Sequence, residues 1–355
     1  MAAILEVIGF ISGVLGIIQF GEDNLPEKKS VGSTVRITVG LDTKGGLNNA
    51  GGDLPDVRLF NEAGEFLGIK TNPGKVRSGE FSDITIEHDW DLGQQATYAL
   101  FSANKDAICI AYASITWPSG DSYGWVGDWG RQCGGSWYYS NVYISASGLM
   151  PDCLWIDGNN DQPQTGFQVH WPEFVGRGDD SIPGSPADKD AQVDRLCNAG
   201  PPFKMHNYPD RDPSWITYWI PHKQRSIPDK RFLATRALHG PSKRPRSVRF
   251  RSSENDLRTN QTATLPPMGR SLVIGDSDKH SAEELCESAT SFGPDFLNVK
   301  TGIFCRMSDK TTWPVCDRAQ TTDNCFNNDL NQLVINGVAA RDEAYGNIVD
   351  WTSEN

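Results

Sequence analysis

Residues 33–41 read STVRITVGL and residues 107–117 read AICIAYASITW. In the first, Val35, Ile37 and Val39 fall on one side of an extended chain, and Thr34, Arg36 and Thr38 fall on the other. That period of two describes a strand with one apolar and one solvated face. The second stretch is apolar on both sides of Cys109, as a central strand must be. Between and after them come DVRLFN (56–61), FLGIK (66–70), SDITIEH (82–88), TYALFSA (97–103), YGWVGDW (123–129) and WYYSNVYIS (137–145), separated by Gly, Asn, Asp and Pro. Short strands with a turn signal at each end predict a mainly β chain built on an antiparallel β-sandwich.

The chain has 355 residues, 38% of them hydrophobic, enough for two or three cored domains. Composition divides it into an apolar, glycine-containing segment over 1–24 and an aromatic-rich sandwich over 30–178. A Pro/Arg-rich, irregular connecting region follows over 179–268, then a small α+β cysteine-containing module over 269–355. Within that last part LVIGD reads as a strand, and Ser281-Ala-Glu-Glu284 is a capping box opening a helix. The net charge of −12 argues against nucleic acid as a partner. Eleven Lys or Arg lie between His222 and Arg258, where they could grip anionic lipid or neutralise acidic surfaces of the same chain. The dibasic pairs Lys230-Arg231 and Lys243-Arg244 are candidate processing sites, and Asn260-Gln261-Thr262 is a glycosylation sequon.

The leader MAAILEVIGFISGVLGIIQF (1–20) admits three readings. A cleaved signal needs a basic start and an A-x-A-like site, whereas this segment carries Glu6, no Lys or Arg, and no such site. A single membrane span needs about 20 apolar residues, and the run from Val7 is short and includes Gln19. The third reading is a retained helix. At about 100° per residue, Ile4, Val7, Ile8, Ile11, Val14, Leu15 and Ile18 share one face, while Gly9, Gly13 and Gly16 gather opposite. Such a helix would contact a bilayer, identical subunits in a homo-oligomer, or its own fold.

Eight cysteines, Cys109, Cys133, Cys153, Cys197, Cys286, Cys305, Cys316 and Cys325, form an even set without zinc-ligand spacing. They are disulfide candidates, and with them an extracellular or membrane-associated location is favoured over assembly in the cytoplasm. Asp157, Asn159 and Asp161 place oxygens at alternate positions, the opening of a calcium loop, although Gln162 and Gln168 stand where an EF-hand needs Gly and Glu. No other cofactor is indicated. Among the rings between Trp117 and Tyr143, Trp125, Trp129, Trp137, Tyr138 and Tyr139 are the candidates for stacking on a glycan, with core packing as the competing role. No zincin, Walker or dinucleotide motif occurs. His170 and Glu173 are the one acid/base pairing the sequence offers.

The succession TVRITVGLDTKGGLNNAGGDLPDVRLFNEAG (34–64), VRSGEFSDITIEHDWDLGQ (76–94) and ICIAYASITW (108–117) resembles a PLAT/C2-type lipid-binding sandwich. The resemblance implies a docking domain without catalysis, sometimes holding calcium, with Asp42, Asp53 and Asp56 in the corresponding loop. Residues 280–316, HSAEELCESATSFGPDFLNVKTGIFCRMSDKTTWPVC, resemble the C-terminal module of uncharacterised filamentous-fungal proteins, which implies no activity. Together these observations predict a non-enzymatic, membrane- or surface-associating protein, effector- or toxin-like, whose sandwich docks and whose leader inserts or oligomerises. The alternatives are a self-assembling structural protein and a secreted carbohydrate-binding protein.

Overall fold

The computed structural model describes residues 5–11, 14–40, 50–89, 93–145, 147–160, 162–174, 186–210, 212–220, 271–317, 323–339 and 345–352. The chain divides into two compact units. One comprises residues 1–218 together with 267–355; of the other, residues 219–266, only the exposed Trp219 and Ile220 are described.

In chain order the first half contains β1 (Leu5–Ile11), β2 (Val14–Phe20), β3 (Gly32–Val39), β4 (Gly52–Asp53), β5 (Asp56–Phe60), β6 (Phe66–Lys70), β7 (Lys75–Val76), β8 (Phe81–Glu87), β9 (Tyr98–Ser102), β10 (Ile108–Thr116), β11 (Ser122–Val126), α1 (Asp128–Gln132), β12 (Trp137–Tyr139), β13 (Asp152–Ile156) and β14 (Gln164–His170). Then follow α2 (Pro186–Asn198) and β15 (Phe203–Asn207). One sheet runs β12-β13-β10-β3-β8, with β11 also paired to β10; the other runs β15-β14-β9-β5-β6. All pairings in both sheets are antiparallel. Val35, Ile37, Ala113 and Ile115 from the first sheet and Val57, Leu59, Phe101, Phe167 and Val169 from the second belong to one buried core. The alternation read in STVRITVGL thus does put Val35, Ile37 and Val39 inward. Its other face is not solvated, because Arg36 is buried there against Asp83 (2.7 Å) and Tyr112 and Ser114 are bonded to Asn24 (3.1 and 2.7 Å).

The leader departs from expectation. The helix expected over 1–24 is replaced by an antiparallel hairpin, β1 with β2, in which Gly9 stands opposite Gly16 and Ile11 opposite Val14. The composition explains the change. Each interior Gly costs a helix about 1 kcal/mol, the many Val and Ile favour extended backbone, and Ser12-Gly13 is a turn-forming pair. The backbone of β1 runs beside β11 and α1 of the same chain. Phe20, at the end of β2, is fully buried and meets Tyr112 edge-to-face at 5.4 Å.

The region read as irregular from residue 179 includes the regular α2 and β15, which closes the edge of the second sheet beside β14. In the C-terminal part, β16 (Ser271–Gly275), α3 (Ala282–Glu287), β17 (Asp295–Asn298), β18 (Ile303–Arg306), β19 (Thr311–Pro314), β20 (Cys325–Asn327), β21 (Gln332–Ile335), β22 (Val338–Ala339) and β23 (Asn347–Asp350) follow one another. They form sheets ordered β19-β18-β17-β16-β23 and β20-β21-β22, with β16 parallel to both of its neighbours. The helix at Ser281 is capped as its sequence specifies, Ser281 Oγ accepting the Glu284 amide at 3.1 Å. Glu284 does not complete the reciprocal bond and turns to Arg131 instead.

All eight cysteines are paired, as Cys109–Cys153, Cys133–Cys197, Cys286–Cys305 and Cys316–Cys325. The first ties adjacent strands β10 and β13, the second joins the end of α1 to α2, the third joins α3 to β18, and the fourth closes a short loop. Because a longer closed loop removes more unfolded-state entropy, the 44-residue Cys109–Cys153 link should matter more than the 9-residue Cys316–Cys325 link. Urea unfolding of the paired Cys→Ala variants is expected to show a loss of about 4 kcal/mol for the first and roughly 1–1.5 kcal/mol less for the second.

Candidate functional site

The rings expected to meet a ligand are inside. Trp125, Trp129, Trp137 and Tyr138 are fully buried, and Tyr139 almost so. Trp125 lies between the sheets, stacked on Phe167 at 4.7 Å and Phe203 at 5.6 Å, and Trp129 meets Phe174 at 5.6 Å. Strand β12 carries the other three to the C-terminal module. Trp137 Nε1 donates to Ser288 Oγ (2.9 Å), Tyr138 Oη to the Pro294 carbonyl (3.0 Å) and Tyr139 Oη to the Ser281 carbonyl (2.9 Å). These five rings therefore cannot offer a face to a glycan. Trp137, Tyr138 and Tyr139 lie under a second layer, which strand alternation cannot reveal, and Trp125 and Trp129 belong to the core itself.

The other candidates are dispersed. Asp157 is buried and accepts the amides of Asn159 (3.1 Å) and Gln162 (3.3 Å) through Oδ2, the pattern of an Asx-type turn. Asp161 and Asp42 lie outside the described residues. Asp53 pairs with Lys75 at 3.0 Å, and Asp56 Oδ1 accepts from the Asn72 amide and Asn104 Nδ2 at 2.8 and 3.1 Å. Among the described residues no three His, Cys, Asp or Glu side chains are grouped to hold a metal ion. Of the leader contacts, Ile4 and Gly13 lie outside the described residues, and Val7, Ile8, Gly9, Ile11, Val14, Leu15, Gly16 and Ile18 lie on the hairpin strands. The dibasic pairs at 230–231 and 243–244 and the sequon at 260–262 also lie outside.

His170 and Glu173 do come together. The imidazole is buried, stacked on Tyr98 at 4.1 Å, with Nε2 2.8 Å from Glu62 Oε2 and Nδ1 3.6 Å from Glu173 Oε1. Glu173 in turn takes Arg195 Nη2 at 2.6 Å. This chain of contacts fastens α2 to the end of β14, and its exposed members are Glu62 and Arg195 at the two ends.

An exposed ring is found elsewhere, on the outer face of the second sheet. Residues 212–218 cross that face, held by Gln168, which donates to the Thr217 carbonyl (2.6 Å) and accepts the Thr217 amide (2.8 Å), and by Asp212, paired to Arg58 at 2.9 Å. Ile216 is buried with Phe60, Tyr98 and Leu100, and Tyr218 packs on them. Gly64 (φ +75°) makes room for Tyr218, since a Cβ there would stand 2.5 Å from the ring. Trp215 is left 50% exposed, with Lys204 Nζ 5.1 Å from its ring centroid and 3.3 Å from Thr217 Oγ1. Phe66 and Ile69, opposite Phe60 and Arg58 on β6, are exposed on the same face. The sequence SWITYWIP reads as a buried strand. The structure makes its part up to Tyr218 a covering segment that buries Ile216 and leaves Trp215 outside.

No protein-family model matches this chain, and no curated protein matches it.

Core and surface rings are expected to separate cleanly by mutation. Trp125→Ala should cost about 3–5 kcal/mol in denaturant unfolding, and Trp215→Ala about 1 kcal/mol or less.

Proposed function

We propose that the protein is a non-enzymatic, surface-associating protein of an oxidising, extracellular-type compartment that docks onto glycan surfaces through the outer face of its second sheet. Trp215 carries this reading. It is a large flat ring held half in solvent by a pinned backbone, with the Lys204 ammonium beside it and bonded in turn to the Thr217 hydroxyl. A sugar presents an apolar C–H face and a polar rim, so a ring bordered by hydrogen-bonding groups matches both. Four disulfides support the compartment, because cytosolic thiols are kept reduced. The hairpin at the leader removes the argument for an inserting helix, and among the described residues no helix is long and apolar enough to cross a membrane.

The test is depletion from solution by insoluble polysaccharides (cellulose, chitin, β-glucan), set beside flotation with liposomes. Adsorption to at least one polysaccharide is expected, weakened by Trp215→Ala by about 1–2 kcal/mol, or roughly 5- to 30-fold. Tyr143→Ala, which removes an exposed ring elsewhere (61% exposed), should leave it unchanged. Adsorption indifferent to Trp215, or no adsorption at all, overturns the reading. Flotation that depends on Trp215 transfers the face to lipid.

A further inference from the structure

The seam between the sandwich and the C-terminal module is built around one guanidinium. Arg131, on α1, donates Nη1 to Asp152 Oδ2 at 2.7 Å and Nη2 to Glu284 Oε1, and lies 3.6 Å over the centroid of the Trp137 ring. Asp128 stands behind Asp152, its Oδ2 accepting the Asp152 amide at 3.2 Å. From β12, Tyr139 Oη reaches Glu284 Oε2 at 3.3 Å and accepts the Ser281 amide at 3.0 Å. Three carboxyl groups from α1, β13 and α3 thus share a single cation in a largely buried space. With all three ionised the cluster carries excess negative charge that solvent reaches only at the half-exposed Glu284. Protonating Asp128 and Asp152 removes that excess.

We infer that the seating of the C-terminal module on the sandwich is an acid-favoured contact, firmest in acidic medium and loosened as the pH rises. The titrations agree with the geometry in sign. Burial and the neighbouring Asp152 hold the Asp128 carboxyl well above the usual carboxylate range, and burial pushes Asp152 up to about 6 against the pull of Arg131. A carboxyl whose folded-state value is raised binds its proton more tightly in the fold. Its contribution is therefore greatest below the unfolded value and is lost as pH rises through the folded one. The Asp152 contribution is lost by about pH 6, and that of Asp128 is lost as pH rises through its own raised value.

Also facing the seam are Tyr138 and Tyr139, which burial keeps protonated, Asp295 behind Tyr138, and Lys310, which donates to the Ser291 carbonyl at 2.6 Å and is lowered to about 8 by burial. His280 also faces it, stacked on Tyr139 at 4.5 Å and close to Phe296 and Trp351. Burial and Lys279 lower His280 to about 4, so it opposes the carboxyls, losing stability as pH falls below the ordinary histidine range. His206, on β15, is lowered to about 4 as well and acts away from the seam. The carboxyls and the histidine act in opposite directions at the seam, and whole-molecule unfolding mixes in His206 as well.

The experiment is therefore local and uses the full chain. Amide exchange of Ala282–Glu287, corrected for intrinsic rate, is followed from pH 4.5 to 8.5, relative to β10. Protection is expected to fall at least tenfold more for α3 than for β10 over that range. In Asp152→Asn and, as a milder variant, Asp128→Asn, the fall should shrink several-fold, and in His280→Gln it should steepen. Either asparagine variant suffices if the other does not fold. Equal pH dependence of α3 and β10 in the wild type, or a profile in the folded asparagine variant that is merely offset from wild type, overturns the inference.

Discussion

Strand β10 has all nine of its residues buried and is hydrogen-bonded along both edges, a demand that every neighbouring element serves. A buried strand must find partners for each amide and carbonyl. On one side β3 supplies them; on the other, β13 pairs with Ile108–Ile110 and β11 with Tyr112–Thr116. The handover occurs at Ala111, where the register against β3 also shifts. Gly127 closes the gap by donating to the Ala111 carbonyl at 2.8 Å. A Cβ at Gly127 would lie 2.3 Å from the Asp152 carbonyl oxygen, so only glycine lets β11 leave while β13 enters.

From that handover the rest of the architecture follows. α1 begins immediately after Gly127 and carries Arg131 and Cys133; β13, locked to β10 by Cys109–Cys153, carries Asp152 and supports β12 at the edge of the sheet. The edge strand then presents Trp137, Tyr138 and Tyr139 to α3 and to the loop preceding β17, and Trp137 bridges in parallel to Ser291. The C-terminal module thereby covers an edge that would otherwise be open to association. Large aromatic residues here hold layers together, each with its polar atom satisfied across the seam. On the opposite sheet a covering segment is held by Gln168 and by the Asp212–Arg58 pair, and Trp215 stays half in solvent.

The strands were legible because their signals are local. Val35, Ile37 and Val39 alternate with polar residues, and AICIAYASITW is apolar on both sides, so a mainly β, sheet-on-sheet body could be read before any contact was known. The Ser281 cap was equally local. The leader was not, since its Val, Ile and Gly spacing satisfies a helix of period 3.6 and a hairpin of period two alike. Glycine at positions 9, 13 and 16 and pairing of the two halves decide for the hairpin.

The sequence by itself determined the strands, the even cysteine count and the stock of aromatic rings, because periodicity and composition are properties of neighbouring residues. Only the tertiary structure decided which cysteines pair, which rings become core and which charges share Arg131. Those outcomes depend on residues far apart in the chain: Cys109 with Cys153, Tyr139 with Ser281, Arg131 with Glu284. The two faces of a strand look alike in sequence whether a second layer or water lies beyond them, and burial is settled only when that layer is in place.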